Sequence, residues 1–237
     1  LVGGVNRGGR GYYALDITDP ANPKGLWEFT DDNLGYTYGN PVISKLTDGT
    51  WVVMVASGYN NASPGDGQGR LFVLNAESGA LIRSISTGAG TAATPSGLAK
   101  IAAWANYPDF NNTAQRVYGG DLLGNLWRFD INDTLGVAGY DAQHLATFQT
   151  GADQVPPKAR QPVAVPPELA EIDGQAVIFV GTGKLLGDSD LGDTMPQSMY
   201  AIKDTLGTED WDVVRGRDDM VQQTLKDPYI FDFLTLT

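Results

Sequence analysis

Carboxylates alternate within one short stretch, Asp188-Ser189-Asp190-Leu191-Gly192-Asp193, and alternating acids can bind a divalent cation. The stretch lacks the spacing and the terminal glutamate of an EF-hand loop. It also lies inside a long loop-like segment, where acidic residues are normally solvated. The sequence therefore favours a solvated acidic loop over a cation site.

Residues suited to nucleophilic or acid–base catalysis are scarce. His144 is the only histidine, cysteine is absent, and no Gly-x-Ser-x-Gly nucleophile elbow occurs. The paired carboxylates Asp31-Asp32 and Asp218-Asp219 lie in loop-like sequence, which does not show the opposed, differently buried groups that acid–base catalysis needs. We therefore predict that the chain is not an enzyme and that His144 lies at a strand edge.

Two glycine-rich stretches have a superficial likeness to phosphate-binding loops. Gly65-Asp66-Gly67-Gln68-Gly69 precedes a strand-like run, whereas a dinucleotide loop follows a strand and opens a helix. Gly181-Thr182-Gly183-Lys184 lacks both the Walker spacing and a following helix. We predict that neither stretch binds phosphate and that the first is a hairpin loop.

Composition limits the partners of the chain. Its 237 residues carry a net charge of −12, which repels nucleic acid and anionic membrane surfaces. The absence of cysteine excludes disulfides and thiolate metal sites. No apolar run reaches the length of a transmembrane segment, and no signal peptide is recognisable. Both ends lie in strand-like runs, so we expect a piece of a longer, processed protein.

Four short sequence motifs recur along the chain in the same order, which is the sign of a repeat architecture. A proline-led strand occurs at 40–43, 94–98 and 161–165, and a glycine-ended strand at 1–4, 52–58, 117–120 and 177–183. A strand ending in Asp or Asn occurs at 11–16, 70–75, 125–130 and 198–204, and an outer strand at 25–29, 79–85 and 144–148.

This cycle predicts an all-β fold built from the four-stranded antiparallel blades of a β-propeller. The blades would span 1–34 (partial), 35–90, 91–150 and 155–214, and 215–237 would start a further segment. Closure takes about four to eight blades, so we expect an incomplete portion of a larger, modified propeller. The only helical hint is Pro167-Glu168-Leu169-Ala170. Three tryptophans, Trp27, Trp51 and Trp127, are expected to fill the space between blades.

Extra residues fall between the strands at matching positions in the repeats. Insertions placed in this way are expected to project from one face, where function usually collects. We therefore expect the working surface to be formed by the loops Tyr59–Gln68 and Lys184–Gln197. In the first of these loops, Tyr59, Asn60 and Asn61 are expected to be exposed contacts.

Several stretches resemble the C-terminal propeller of the PilY/PilC family of type IV pilus tip-associated adhesins and assembly factors. The strongest is Val117-Tyr118-Gly119-Gly120-Asp121-Leu122-Leu123-Gly124-Asn125-Leu126-Trp127-Arg128-Phe129-Asp130. The opening run Gly8–Pro20 resembles a second stretch of that domain, and Phe179–Lys184 with Tyr200-Ala201-Ile202 resembles a third. The likeness covers about residues 1–210 in matching order, although the blade phrase alone also resembles repeats of quinoprotein dehydrogenases.

The resemblance implies a modified propeller that is exported through the periplasm and outer membrane to the cell surface and pilus tip. It implies a role in pilus assembly and extension, adhesion and twitching motility. The implied partners are minor pilins of the tip complex and a receptor on a host cell or abiotic surface. Two alternatives stay open, a quinone-dependent dehydrogenase-like propeller and an unrelated propeller that scaffolds outer-membrane assembly.

The resemblance also places a calcium loop just before the strand at Val117. The aligned residues are Tyr107, Asp109, Asn111, Thr113 and Gln115, of which only Asp109 is a carboxylate. If calcium modulates the protein, the ligands would be Asp109, Asn111, Thr113 through its carbonyl, and Gln115. Because few anionic ligands mean weak affinity, a polar turn held by asparagine side chains is the favoured alternative.

Overall fold

Fourteen β-strands and two 3-10 turns make up the regular structure of residues 1–135, 141–151, 158–206 and 216–223, which the computed structural model describes. The turns are Asp188–Asp190 and Arg217–Asp219. The strands are β1 (Val2–Gly4), β2 (Tyr12–Asp16), β3 (Lys24–Phe29), β4 (Val42–Lys45), β5 (Trp51–Ala56), β6 (Arg70–Asn75), β7 (Leu81–Ser86), β8 (Lys100–Ala105), β9 (Ala114–Gly120), β10 (Asn125–Asp130), β11 (Ala142–Thr147), β12 (Glu168–Ile172), β13 (Gln175–Gly181) and β14 (Met199–Asp204).

The strands form four antiparallel sheets in chain order: β1–β3, β4–β7, β8–β11 and β12–β14, here called the first to fourth sheets. Within each sheet every strand pairs with its neighbour in the chain. This up-and-down order is that of a propeller blade, so the predicted all-β class is confirmed. The strands of each sheet lie within one of the segments 1–34, 35–90, 91–150 and 155–214.

Four strands end in Asp or Asn because that side chain builds the turn that follows. In each case the Oδ1 atom accepts the backbone N–H two residues further on, which defines an Asx turn. The pairs are Asp16 with Thr18 (2.9 Å), Asn75 with Glu77 (3.0 Å), Asp130 with Asn132 (3.0 Å) and Asp204 with Leu206 (3.0 Å). We call this end of each sheet the aspartate end.

The opposite end of each sheet, here the glycine end, carries the linkers that lead from one sheet to the next. Each linker is hydrogen-bonded by its backbone to the glycine-ended strands on both of its sides. The bonds are Gly35 N–H to Ser57 O (2.7 Å), Gly58 N–H to Leu98 O (2.7 Å), Leu122 N–H to Ser96 O (2.8 Å), Val163 N–H to Asp121 O (2.9 Å) and Gly183 N–H to Pro162 O (2.7 Å), with a bridge between Asn6 and Thr37.

These crossings explain why the strands end in glycine. A Cβ atom on Gly4 would lie 2.4 Å from the carbonyl oxygen of Thr37, and one on Gly120 would lie 2.3 Å from Val163 Cγ1. Any larger residue would push the linker off the strand.

The sheets pack face to face, and the inner strands of the second and third sheets divide their side chains between two neighbouring sheets. In β5, Val53 and Val55 join the apolar cluster shared with the first sheet, while Val52 and Met54 join the cluster shared with the third. A third cluster, which includes Tyr118 and Ile178, joins the third sheet to the fourth. Since full burial of such a side chain contributes roughly 1.5–3 kcal/mol, these clusters hold the sheets together.

Outer strands add a directional contact to the next sheet. Trp27 Nε1 donates to the carbonyl oxygen of Ala76 at 3.0 Å, and Arg83 Nη1 donates to that of Ile131 at 3.1 Å.

Trp27 and Trp127 are buried as predicted. The prediction for Trp51 is wrong, because this first residue of β5 lies at the aspartate end with 51% of its surface exposed.

The proline-led motif predicts a strand correctly only in its first copy, where β4 follows Pro41. In the other two copies the predicted residues form linkers at the glycine end, and β8 and β12 begin only at Lys100 and Glu168. The helical hint at 167–170 is also wrong, because Glu168–Ile172 pairs with β13.

Parts of the third and fourth predicted blades (136–140, 152–157 and 207–214) lie outside the described residues, as does most of the predicted further segment 215–237. Within the described ranges, no helix is long and apolar enough to cross a membrane.

Candidate functional site

The long loops leave the sheets at opposite ends. The loops 57–69 and 182–198 connect strands at the glycine end, whereas the segment 106–113 connects β8 to β9 at the aspartate end. The two loops of the expected working surface, 59–68 and 184–197, do lie at the same end, but the insertion at 106–113 lies at the other end, so the insertions do not all share one face. Antiparallel alternation is the reason, because successive connections in a meander must lie at alternate ends of the sheet.

The loop Tyr59–Gln68 is a closely packed structure. Tyr59 and Asn61 are buried, so the expectation that both are exposed contacts is wrong; Asn60 is exposed. The Asn61 amide donates to the backbone oxygens of Gln68 (2.7 Å) and Asn33 (3.1 Å). Arg10 clamps the loop from the first sheet by donating to the carbonyls of Asn60, Ala62 and Ser63 at 3.0–3.2 Å. The glycine-rich stretch 65–69 belongs to this hairpin loop, as predicted.

The loop Lys184–Gln197 is braced internally and exposes leucines beside its acidic residues. Lys184 Nζ lies 2.8 Å from Asp190 Oδ1, and the N–H of Leu186 donates to Asp190 Oδ2 at 2.8 Å. The hydrogen bond from Lys184 lowers the pKa of Asp190. Leu185 and Leu191 point outward, with 69% and 73% of their surface exposed. A shaped loop that presents leucines to solvent is suited to contact another surface.

Two of the three carboxylates in the acidic stretch 188–193 are engaged within the loop. Both oxygens of Asp190 are engaged as described, and Asp193 Oδ1 accepts the N–H of Met195 at 2.9 Å. Across the described residues, no three Asp, Glu or His side chains are grouped closely enough to hold a metal ion. The Asp190 side chain, with only 7% of its surface exposed, is therefore held by the loop rather than solvated.

The predicted calcium-loop residues are distributed over a turn and a strand. Asp109 lies in an exposed turn, Thr113 forms a bridge to Lys45, and Gln115 lies within β9. The Asn111 side-chain oxygen accepts from Thr113 Oγ1 at 2.5 Å. The carbonyl of Tyr107 accepts the N–H groups of Phe110 and Asn111, at 3.1 Å and 2.8 Å.

These residues do not fit a calcium ion well. Calcium takes six to eight oxygen ligands, usually with several carboxylates. Here Asp109 is the only carboxylate in the loop, and the oxygen of Asn111 is already used by Thr113. We propose that the segment is a polar turn held by its own side chains.

The melting temperature provides a direct test. A calcium site filled at about 100 times its dissociation constant would stabilise the protein by about 2.7 kcal/mol. We expect that neither millimolar calcium nor a chelator changes the melting temperature measured by calorimetry. A reproducible rise with calcium that is lost in Asp109→Asn would show that the loop binds the ion.

His144 and Asp121 belong to a buried structural cluster in the third sheet. Asp121 accepts hydrogen bonds from Ser96 Oγ, Trp127 Nε1, the Asn125 amide and two backbone N–H groups, at 2.9–3.1 Å. The His144 ring stacks on Trp127 with centroids 4.6 Å apart, and burial lowers the pKa of His144. His144 lies in the outer strand β11, as predicted. The carboxylate is occupied in holding a turn.

The paired carboxylates are also engaged in local contacts. Asp31 Oδ1 accepts the N–H of Asn33 at 2.8 Å, and Asp219 Oδ2 accepts that of Gly216 at 2.7 Å. Asp218 forms an ion pair with Lys158. The Asp31 and Asp219 carboxylates thus each serve a local turn, and the Asp218 carboxylate serves an ion pair.

A buried charge cluster joins the third and fourth sheets. The Asp204 carboxylate accepts from Arg128 Nη1 at 2.5 Å and from the Tyr118 hydroxyl at 2.6 Å, and Arg116 Nε lies 3.9 Å away. Arg116 also donates to the Tyr118 oxygen and lies over the Trp104 ring. Burial, followed by the charge of Asp204, raises the pKa of Tyr118. This cluster was not predicted from the sequence, although arginines within two otherwise apolar strands could have indicated it.

Four antiparallel sheets, packed in chain order and connected by clamped linkers, define a β-propeller domain. The family model for the PilY1 β-propeller domain matches residues 1–235. The chain therefore belongs to the PilY1 β-propeller family, which confirms the predicted resemblance.

Related proteins agree with this assignment. The type IV pilus biogenesis factor PilY1 of Pseudomonas aeruginosa is 34% identical over an alignment of 254 positions, and this alignment covers 95% of this chain and 21% of that protein. A PilY1 homologue of Xylella fastidiosa is 34% identical over 211 residues, covering 86% of this chain and 16% of the homologue. The crystal structure of the Pseudomonas aeruginosa PilY1 C-terminal domain matches with a TM-score of 0.75 at 28% identity, over 91% of this chain and 48% of that chain. The chain thus spans about a fifth of these relatives and about half of the solved domain.

Proposed function

We propose that the chain is a non-enzymatic module of a type IV pilus biogenesis factor that supports pilus assembly and extension, surface adhesion and twitching motility. The observation that carries the proposal is family membership over almost the whole chain, because the relatives are named as type IV pilus biogenesis factors. The engaged carboxylates and the stacked His144 support a structural rather than a catalytic use of the titratable groups.

In this proposal the protein works at the bacterial cell surface and pilus tip after export across the periplasm and outer membrane. Its partners are minor pilins of the tip complex and a receptor on a host cell or abiotic surface. The adhesive surface is the loop Lys184–Gln197, since its bracing presents Leu185 and Leu191 without a large ordering cost.

Adhesion by intact cells tests this assignment. We expect the double variant Leu185→Ser/Leu191→Ser, made in the full-length protein, to lower surface adhesion several-fold while the number of pili stays normal. The matched control is Leu81→Ser/Ile82→Ser on the outer strand β7, whose side chains are also exposed. Adhesion equal to wild type in the loop variant would assign the contact to another surface.

A further inference from the structure

The first sheet has an open edge at β1. Among the described residues, β1 pairs only with β2. The equivalent glycine-ended strands of the other three sheets, β5, β9 and β13, each lie between two partners. Their second partner is the strand that comes first in each of those sheets, β4, β8 or β12, here called the leading strand. The open edge of β1 therefore corresponds to a position that is filled in every other sheet.

The register shows where an added strand would pair. Val2 pairs with Ala14, which lies two residues before the strand end at Asp16. The three residues at this register in the other sheets each pair with a leading strand as well: Met54 with Val42, Tyr118 with Ala102 and Ile178 with Leu169. These leading-strand partners are all apolar, and they lie 12, 16 and 9 residues earlier in the chain.

The backbone of β1 is ready to accept a strand at this edge. Leu1 and Leu15 exchange two backbone hydrogen bonds of 2.8 Å, and Val2 is the next residue along β1. Because hydrogen-bonded and non-hydrogen-bonded pairs alternate in an antiparallel ladder, Val2 directs its N–H and C=O groups away from β2. A strand edge with such groups is a template for pairing with a further strand.

The side chain of Val2 is also less covered than its equivalents. It packs against the apolar cluster shared by the first and second sheets but is only half-buried. Met54, Tyr118 and Ile178, at the same register, are all 0% exposed. A strand that places an apolar residue opposite Val2 would extend the cluster over this side chain, as cross-strand pairs do in other sheets.

We propose that the polypeptide directly before Leu1 in the full-length protein forms a leading strand, which pairs antiparallel with β1 and completes the first sheet. The same polypeptide supplies it because each leading strand of this chain directly precedes its partner, through the connections 46–50, 106–113 and 173–174. The solved PilY1 C-terminal domain also has further polypeptide, since this chain covers 48% of it. The inference is independent of the pilus role, because only the fold enters it.

Disulfide mapping in the full-length protein tests the proposal. Residues 1–237 contain no cysteine, so Val2→Cys introduces a single thiol, and any cysteine elsewhere is first replaced by serine. A second cysteine is scanned through the positions 9–16 residues before Val2. We expect a disulfide at one of these positions, with a yield at least about tenfold above that at its two neighbours, because adjacent residues of a strand point to opposite faces.

A second scan tests the direction of pairing. Leu1→Cys, at a position with 57% of its surface exposed, is expected to move the crosslinked position one residue closer to Leu1, as antiparallel register requires. The matched control is Leu81→Cys, an exposed position on the outer strand β7, which should give no disulfide with the same cysteines.

The occupant of the edge is read from the products of both scans. Failure of both Leu1→Cys and Val2→Cys to form a disulfide within the scanned window would overturn the proposal. A disulfide-linked dimer would assign the edge to a second copy of the protein, and a crosslink to a cysteine placed after Thr237 would assign it to later polypeptide. Either of these results would also overturn the proposal.

Discussion

Replacing Asp204 by alanine is expected to lower the free energy of unfolding by about 3–5 kcal/mol, the loss typical when one partner of a buried ion pair is removed. Arg116 and Arg128 would then stay buried between two sheets, with 4% and 2% of their surface exposed, and would lose the Asp204 carboxylate that they share. Urea denaturation of the purified protein, followed by tryptophan fluorescence, measures the change.

Asp16→Ala is the matched control for this prediction. Asp16 occupies the same position in the first sheet and builds the same Asx turn, but it is only half-buried and its carboxylate is hydrogen-bonded to the neighbouring Thr18. We expect a much smaller loss of stability for this variant. Equal losses in the two variants would show that the turn, rather than the arginine cluster, provides the stability at Asp204.

The second large effect is expected for Gly58→Ala, which should destabilise the protein by about 3 kcal/mol or more through backbone strain and overpacking together. Gly58 has a φ angle of +76°, and a Cβ atom there would lie 2.2 Å from the carbonyl oxygen of Tyr36. The linker between the first and second sheets would have to move away from β5.

Gly49→Ala separates the two causes. Gly49 has a φ angle of +89°, so alanine is strained there as well, but a Cβ atom would meet nothing within 4 Å. We expect a loss of only about 1 kcal/mol, the usual cost of a left-handed residue. Thermal unfolding of the two variants gives the comparison. Similar losses would mean that the linker yields easily and does not clamp the sheets.

The ends of the strands were predictable from sequence motifs because each motif has a local physical cause. A side chain at the end of a strand forms its Asx turn with a residue two positions away, so Asp16, Asn75, Asp130 and Asp204 mark strand ends by sequence alone. Glycine endings such as Gly119-Gly120 were predictable for a similar reason, because close backbone approach leaves no room for a side chain.

The errors concern features that depend on distant residues. Thr94–Leu98 and Gln161–Val165 have the proline and the apolar residues of edge strands, but their partners are the glycine ends of neighbouring sheets. Asn61 was expected at the surface because loop asparagines usually are; here it is buried and donates to the backbone of two segments. No local pattern pairs Arg128 with Asp204, which lies 76 residues away.

The candidate surfaces were predicted only in part. The loop Lys184–Gln197 was located from its length, but its bracing by the ion pair between Lys184 and Asp190 depends on the folded geometry. Tyr107 was considered only as an aligned position of a degenerate calcium loop, and the exposure of Tyr107 and Phe110 was not predicted. Solvent exposure depends on how neighbouring sheets cover a loop, and a single sequence does not contain that information.

The double attachment of the linkers has a mechanical consequence. Because each linker is bonded to the sheets on both of its sides, a force that pulls two neighbouring sheets apart must break backbone hydrogen bonds of the linker as well as the apolar contacts between the sheets. Mechanical separation of the sheets therefore requires both sets of contacts to fail.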